Sequence, residues 1–325
     1  MTNKDALALL CGLFLICACA DPEEPEKETL RKEPAAPIIP APKFNSDSAY
    51  VYVAQQVAFG PRVPNSTAHN DCANYLKRKL RSFGFEVTSQ TGTVNGWDGV
   101  KLNFENILGS INPDARSKIV LFAHWDTRRY ADQEPLLKTA PIDGANDGAS
   151  GVGILLEIAR LMGQTKPNIG IDIVLFDVED YGKSSYTHSY CLGSQYWAKN
   201  LRNKNYYPKY GILLDMVGAK NAKFAMEGYS MQFAPHIVNR IWKKAAAIGY
   251  SDYFIFKRIS PLTDDHYYVN TIANIPCIDI IEHDASTTSG FGDYWHTTND
   301  KMDIIDKATL EAVGQTLLEV RYSEK

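Results

Sequence analysis

The sequence has 325 residues, 45% of them hydrophobic and 22% charged, a balance that excludes a disordered chain, a collagen-like repeat or a low-complexity fibre. Its 34 basic against 38 acidic residues give a formal net charge of -4, which offers no electrostatic footprint for a phosphate backbone, so no nucleic acid partner is expected. The length allows one large α/β domain or two small ones.

Behind Lys4, the fifteen positions from Ala6 to Ala20 are apolar without a break. A spanning helix needs about 20 such residues, so this run suits the apolar region of an export signal instead. Within it Ile16-Cys17-Ala18-Cys19 resembles a bacterial lipobox. Cys19, with the small Ala18 directly before it, is the expected lipidation site; Cys17 follows the β-branched Ile16 and fits less well. Residues 1–18 thus read as a lipoprotein signal peptide, and the protein as exported and held by a lipid anchor on a membrane of the bacterial cell envelope, periplasmic or outer.

Residues 19–44 read as a Pro/Glu-rich tether. Asp21 to Lys43 hold six of the sixteen prolines and alternate Glu with Lys and Arg, which leaves no apolar face to bury. The remaining cysteines, Cys72, Cys191 and Cys277, are odd in number and far apart, so they are expected to be buried apolar residues and not a disulfide or thiolate site.

From residue 45 to 325 one catalytic domain is expected. Ser46 to Phe59 and Ser66 to Phe83 read as amphipathic helices, the second capped among Asn65, Ser66 and Thr67 and closed by Gly84. Phe85 to Thr93 and Val100 to Ile111 read as strands joined by a turn. Four short, nearly all-apolar runs follow, Lys118 to Phe122, Ile171 to Phe176, Tyr210 to Leu214 and Pro276 to Ile281. They have the pattern of strands covered on both faces. They alternate with helical patterns at Ala149 to Met162, Gly193 to Leu201 and Pro235 to Ile248, with a last helix over Lys307 to Arg321. The fold class is therefore α/β, a single domain with a mostly parallel, twisted central sheet and helices on both faces.

Each buried run ends in groups that bind metal or move protons: His124-Trp125-Asp126, Asp177-Val178-Glu179-Asp180, Asp215, and Glu282-His283-Asp284. In open α/β sheets ligands sit beyond the carboxyl ends of the strands, so these acids are expected to converge. Asp143 to Gly151 joins them, a small-residue segment that opens a helix; alone, Asp147 would read as a helix cap. Tyr294 to Asp300, around His296, precedes the last helix. Two carboxylates and one imidazole with an open fourth position suit catalytic Zn²⁺, and Asp147, Asp180 and His296 can supply them. Other histidines, His69 and His188 among them, read as ordinary hydrogen-bonded residues.

Taken in order, His124-x-Asp126, the Asp147 segment, Asp177-x-Glu179-Asp180, Leu-Leu-Asp215-Met and Trp295-His296-Thr297 resemble the zinc aminopeptidase family that also contains the glutaminyl cyclases. The likeness runs over about 280 residues, from Asn45 to the C-terminus. It implies a zinc-exopeptidase-like fold, with one metal in cyclases and two in aminopeptidases; a second could sit at His124, Asp147 and Asp215. Trp295 before His296, Thr263-Asp264-Asp265-His266, and Leu192 to Trp197 resemble the cyclase branch. Asp180 stands where animal cyclases carry Glu, so its backbone has to come closer to the metal or the affinity falls.

The resemblance implies conversion of N-terminal glutamine in peptides or proteins to pyroglutamate with release of ammonia, by an enzyme holding one Zn²⁺ that polarises the γ-carboxamide; a monomer is expected, though no residue pattern bears on it. Glu179 would be the general base and acid, Asp264 with Asp215 would bind the departing amide, and Trp295 would wall the substrate pocket. The alternatives are a dinuclear zinc aminopeptidase of the same family and a catalytically dead binding protein; Glu179 argues against the latter, since a binding site needs no proton shuttle.

Overall fold

The computed structural model describes residues 40–203 and 205–324. The expected signal peptide, Cys19 and most of the tether lie outside the described residues. The boundary between tether and domain moves back slightly. Phe44 is 2% exposed, its amide donates to Gln315 Oε1 at 2.8 Å, and Gln315 Nε2 donates to the Pro42 carbonyl at 3.3 Å. A composition rich in Pro and charge hides one aromatic anchor, and the folded body begins before Asn45.

Two helices, α1 (Ser46–Val57) and α2 (Thr67–Ser82), lead into a hairpin of β1 (Glu86–Asn95) and β2 (Lys101–Ile111). Asn45 and Ser66 cap the helices by accepting the amides of Ser48 and His69. Then come β3 (Lys118–His124), α3 (Ala149–Gln164), β4 (Gly170–Phe176), α4 (Leu192–Lys199) and β5 (Gly211–Asp215). The chain continues through β6 (Phe224–Met226), α5 (Gly228–Phe233), α6 (Pro235–Ala247), β7 (Phe254–Arg258), α7 (Asp265–Thr271), β8 (Cys277–Ile281) and α8 (Lys307–Tyr322). The small β6–β7 pair and the helices α5 and α7 have no counterpart in the sequence reading, because elements of three to seven residues are too short to show a period.

The main sheet has the order β1-β2-β4-β3-β5-β8. β4, β3, β5 and β8 are parallel, and the β1–β2 hairpin adds two antiparallel pairings at one edge. Helices pack on both faces. Ile119, Leu121 and Ala123 of β3 enter the large core with α1, α3 and α8, while Val120 and Phe122 enter a smaller one with Trp197 of α4 and Val269 of α7. Alternate residues of one strand thus serve two cores, which is why the run is apolar throughout.

The chain leaves β3 toward β4 on one side and later returns to β5 on the other. The crevice between β3 and β5 is therefore the topological switch point, where such sheets place ligands.

The fit of α3 against β5 is close. A Cβ on Gly151 would lie 2.4 Å from the Leu214 carbonyl oxygen, a backbone atom inside the sheet. Gly151→Ala is predicted to destabilise the domain by about 1–3 kcal/mol, the usual cost of overpacking. Denaturant unfolding measures it, and an unchanged midpoint would contradict the close packing.

Candidate active site and metal centre

The segment after β3 has little regular structure, so side chains fix its path. The fully buried Arg62 donates to the carbonyls of Trp125, Asp143 and Gly144. Asp300, also buried, accepts the amides of Asn146 at 2.7 Å and Asp147 at 3.1 Å. Gly148 is the residue before α3, at φ +93°, with Asp126 carbonyl oxygen 2.5 Å from where a Cβ would be. Asp147 is therefore not the cap of α3; it is free to face the cavity it lines.

Asp126 performs the same service for the turn after β4, accepting the amides of Glu179 at 3.1 Å and Asp180 at 3.2 Å. Val178 takes φ +53°, a region a β-branched side chain avoids. Arg128 Nη1 donates to the Asp180 carbonyl at 2.9 Å, to its Oδ1 at 3.2 Å and to the Gly182 carbonyl at 2.8 Å. The backbone of the shorter Asp180 is thus tied from both sides.

His296 Nε2 lies 3.3 Å from Asp180 Oδ1 and 3.7 Å from Asp147 Oδ2, while its Nδ1 lies 3.2 Å from Asp132 Oδ1. A carboxylate on the far nitrogen is how ligating histidines are commonly oriented. Trp295 stacks on the imidazole at 3.7 Å between ring centroids. These residues fit a zinc ion. Asp180 Oδ2 is buried with no hydrogen-bond partner, and burial together with the charges of Asp180 and Asp215 pushes Asp147 up to about 6, a crowding of negative charge that a divalent cation relieves. Two oxygens and one nitrogen are a suitable donor set for Zn²⁺.

His124 forms a second cluster with Asp147 and Asp215. Its Nε2 is 3.1 Å from an oxygen of each, and its Nδ1 is 3.4 Å from Asp126. Burial opposes its charge, but hydrogen bonds to Asp126, Asp147 and Asp215 outweigh that and hold its pKa well above 6.5.

One oxygen of Glu179, one of Asp264 and Cys191 Sγ lie within 4.8 Å of one another. Burial, reinforced by Asp180 and only partly countered by His124, pushes the Glu179 carboxyl well above the usual range. The Cys191 thiol donates to Glu179 Oε1 at 3.2 Å and the Cys191 amide to the Glu179 carbonyl at 2.8 Å. Cys191 is buried, as expected, but it touches a candidate base and so is more than apolar filling. Asp264 caps α7, and burial followed by the Asp215 charge pushes it up to about 6. Asp215 hydrogen-bonds to His124. Behind Asp264, the buried His266 sits between Glu227 at 3.0 Å and Asp279 at 3.7 Å.

A cavity of about 270 Å³ brings these groups together. Asp147, Glu179, Asp180, Asp215, Asp264, Trp295 and His296 all line it, with Tyr190, Leu262, Ile281 and Phe291 as apolar walls. The residues marked from the sequence as catalytic, as substrate-binding or as ligands of the first metal therefore line one cavity, and His124, the candidate ligand of a second, lies behind it against Asp147 and Asp215. Sequence reasoning gave no role to Arg128, Asp132 or Asp300, nor to Cys191 at the base. The first three act on backbone amides, on backbone carbonyls or on another side chain, through loops without periodicity. His69 and His188 are hydrogen-bonded to Asp177 and Tyr268, as ordinary histidines would be.

The sequence profile of peptidase family M28 matches residues 106–321. The chain belongs to that family. Among M28-like structures, a glutaminyl cyclase of Bacteroides thetaiotaomicron bound to N-acetylhistamine is 51% identical, with 88% of this chain and 100% of that one aligned at a TM-score of 0.85. A glutaminyl cyclase of Porphyromonas gingivalis is 50% identical over 86% of this chain and 97% of its own, at a TM-score of 0.84. A glutaminyl-peptide cyclotransferase of Drosophila melanogaster is 26% identical, covering 82% of this chain and 78% of its own length.

If Asp300 positions Asp147 as a ligand, Asp300→Ala should weaken zinc binding by about 10- to 100-fold, as loss of outer contacts does elsewhere. Competition with a chromogenic chelator reads this directly, and wild-type affinity in the variant would contradict the positioning role.

Proposed function

We propose that this M28 protein is a zinc-dependent glutaminyl-peptide cyclotransferase, acting on peptides or proteins that begin with glutamine. The observation that carries the reading is the placement of Glu179 and Asp264 in one cavity with the Asp147, Asp180 and His296 ligand set, in a chain about half identical to glutaminyl cyclases over most of its length.

Asp147, Asp180 and His296 would hold the zinc ion, which would supply Lewis-acid polarisation to a bound carboxamide. Attack is intramolecular: the α-amine forms a bond to the γ-carboxamide carbon, so ring closure needs no second substrate. Glu179 takes a proton from the attacking amine and returns it to the departing NH₂, which leaves as ammonia. The Cys191 thiol on Glu179 Oε1 keeps one carboxyl oxygen in place through both transfers, while the Cys191 amide fixes the Glu179 backbone carbonyl. Asp264 accepts a hydrogen bond from the carboxamide nitrogen, and Trp295 and Phe291, tilted rings 5.0 Å apart, exclude water from the glutamine side chain.

One zinc per chain is part of this proposal. What supports it is the difference between the two clusters: Asp180 in the first keeps an unpaired buried oxygen, whereas His124 Nε2 in the second already bonds to Asp215. That second cluster is also what favours the alternative, a dinuclear aminopeptidase, because its donors could take another ion. We further propose that the protein is exported and lipid-anchored through Cys19; the support is the leader and lipobox in the sequence. No helix among the described residues is long and apolar enough to cross a membrane.

Glu179→Gln is expected to retain about one zinc per chain by elemental analysis while kcat falls by about 10²- to 10⁴-fold. Near-normal turnover would overturn the general-base role. Two zinc ions per chain in the wild-type protein would favour the dinuclear reading.

A further inference from the structure

A second cavity, of about 230 Å³, shares Asp180 with the catalytic one and is also lined by Asp132, the partner of His296. Its chemistry is the reverse of its neighbour's. Arg129, Lys138 and Lys183 edge it, and the rings of Trp97, Tyr130 and Tyr181 form its walls.

The charges around it do not cancel. Arg128, at the base, is saturated by Asp180, Asp132 and the Gly182 carbonyl. Asp132 in turn pairs with Arg128 and His296 Nδ1, and Asp180 Oδ1 with Arg128, which leaves Asp180 Oδ2 on the side of the ligand set. Arg129 is shared with Asp98 at 3.1 Å and the Tyr181 hydroxyl at 2.6 Å, with its side chain 41% exposed. Lys183 sits over the Trp97 ring at 4.4 Å and has no carboxylate partner among the described residues. Lys138, exposed on the rim, has none either. What faces an incoming ligand is a cationic edge above aromatic walls. That surface suits a group with an apolar body and an anionic end, held by exposed charges and by ring contact.

Extended peptide spans about 3.3–3.6 Å per residue. Because Asp180 lines both cavities, the two adjoin, a separation that a few residues of extended peptide can span. We propose that this second cavity binds a carboxylate carried by the peptide shortly after its N-terminal glutamine. The proposal rests on the cyclase reading and adds to it a preference for acidic peptides. Two sources share this chemistry, an Asp or Glu side chain and the C-terminal carboxylate of a short peptide.

The test uses the purified protein and three peptides, Gln-Ala-Ala-Ala amide, Gln-Ala-Glu-Ala amide and Gln-Ala-Ala-Ala with a free C-terminus. Ammonia release gives kcat/KM for each at low and high salt. One or both carboxylate peptides should exceed the neutral one by about fivefold at low salt, the size expected of two exposed charge pairs, and the advantage should shrink in high salt. The peptide that gains identifies the source. In the double variant Lys138→Glu, Lys183→Glu the ratio should fall below one. Each ratio is taken within one preparation, so a loss of folded protein cancels. Equal kcat/KM for all three peptides, or a preference that survives the charge reversal, overturns this inference alone. No ammonia from any of them overturns the cyclase reading and this inference with it.

Discussion

Five carboxylates line one largely buried cavity at the ends of parallel strands, and the protein has to hold them there against their own repulsion. Like charges so close raise each other's pKa or recruit cations, and this site does both. Burial and neighbouring charges push Asp147 and Asp264 up to about 6 and Glu179 well above its ordinary range. His124, His296 and Arg128 are drawn in as counter-charges. The ligand set and the proton-transfer set are thus two answers to the same electrostatic problem. A divalent ion would relieve the Asp147–Asp180 side, and the raised proton affinity of Glu179 would suit a group that takes up and returns a proton.

The anions that do not face the cavity are spent on backbone. Asp126 gathers the amides of Glu179 and Asp180, and Asp300 those of Asn146 and Asp147. Each aims a ligand or a base that it does not itself become. Strain collects at the same places. Val178, Cys191, Met216 and His296 all take positive φ, and each is a site residue, a neighbour of one or, in Cys191, the partner of one. Such conformations cost of the order of 1–3 kcal/mol apiece and persist only where the surroundings fix them. Here Val178 is held in a small apolar cluster with Leu102, Phe104 and Tyr181, and His296 is stacked on Trp295.

The sheet and most of its helices were legible in the sequence because its short central strands, covered on both faces, are nearly all apolar, with Asp172 and Asp279 the single acids inside β4 and β8. The site was legible for a related reason: a carboxylate or histidine directly after such a run breaks the pattern abruptly, as at His124, Asp177 and Asp215. What escaped was carried by loops. Arg128 and Asp132 lie in a segment with no period, and their roles depend on contacts with Asp180 and His296, 52 and more residues away. Phe44 escaped for the opposite reason, as one anchoring ring at the end of a proline-rich stretch.

In the proposed reading, Glu179 as a base beside the ligand set, with Asp264 at the carboxamide nitrogen, would serve an attack from within the substrate and leave the peptide bond after glutamine intact. Incubating the purified protein with a glutamine-initiated dipeptide, while ammonia and free glutamine are followed together, tests this directly. Ammonia and the pyroglutamyl dipeptide should rise in equal amounts with no free glutamine; free glutamine without ammonia would contradict the account.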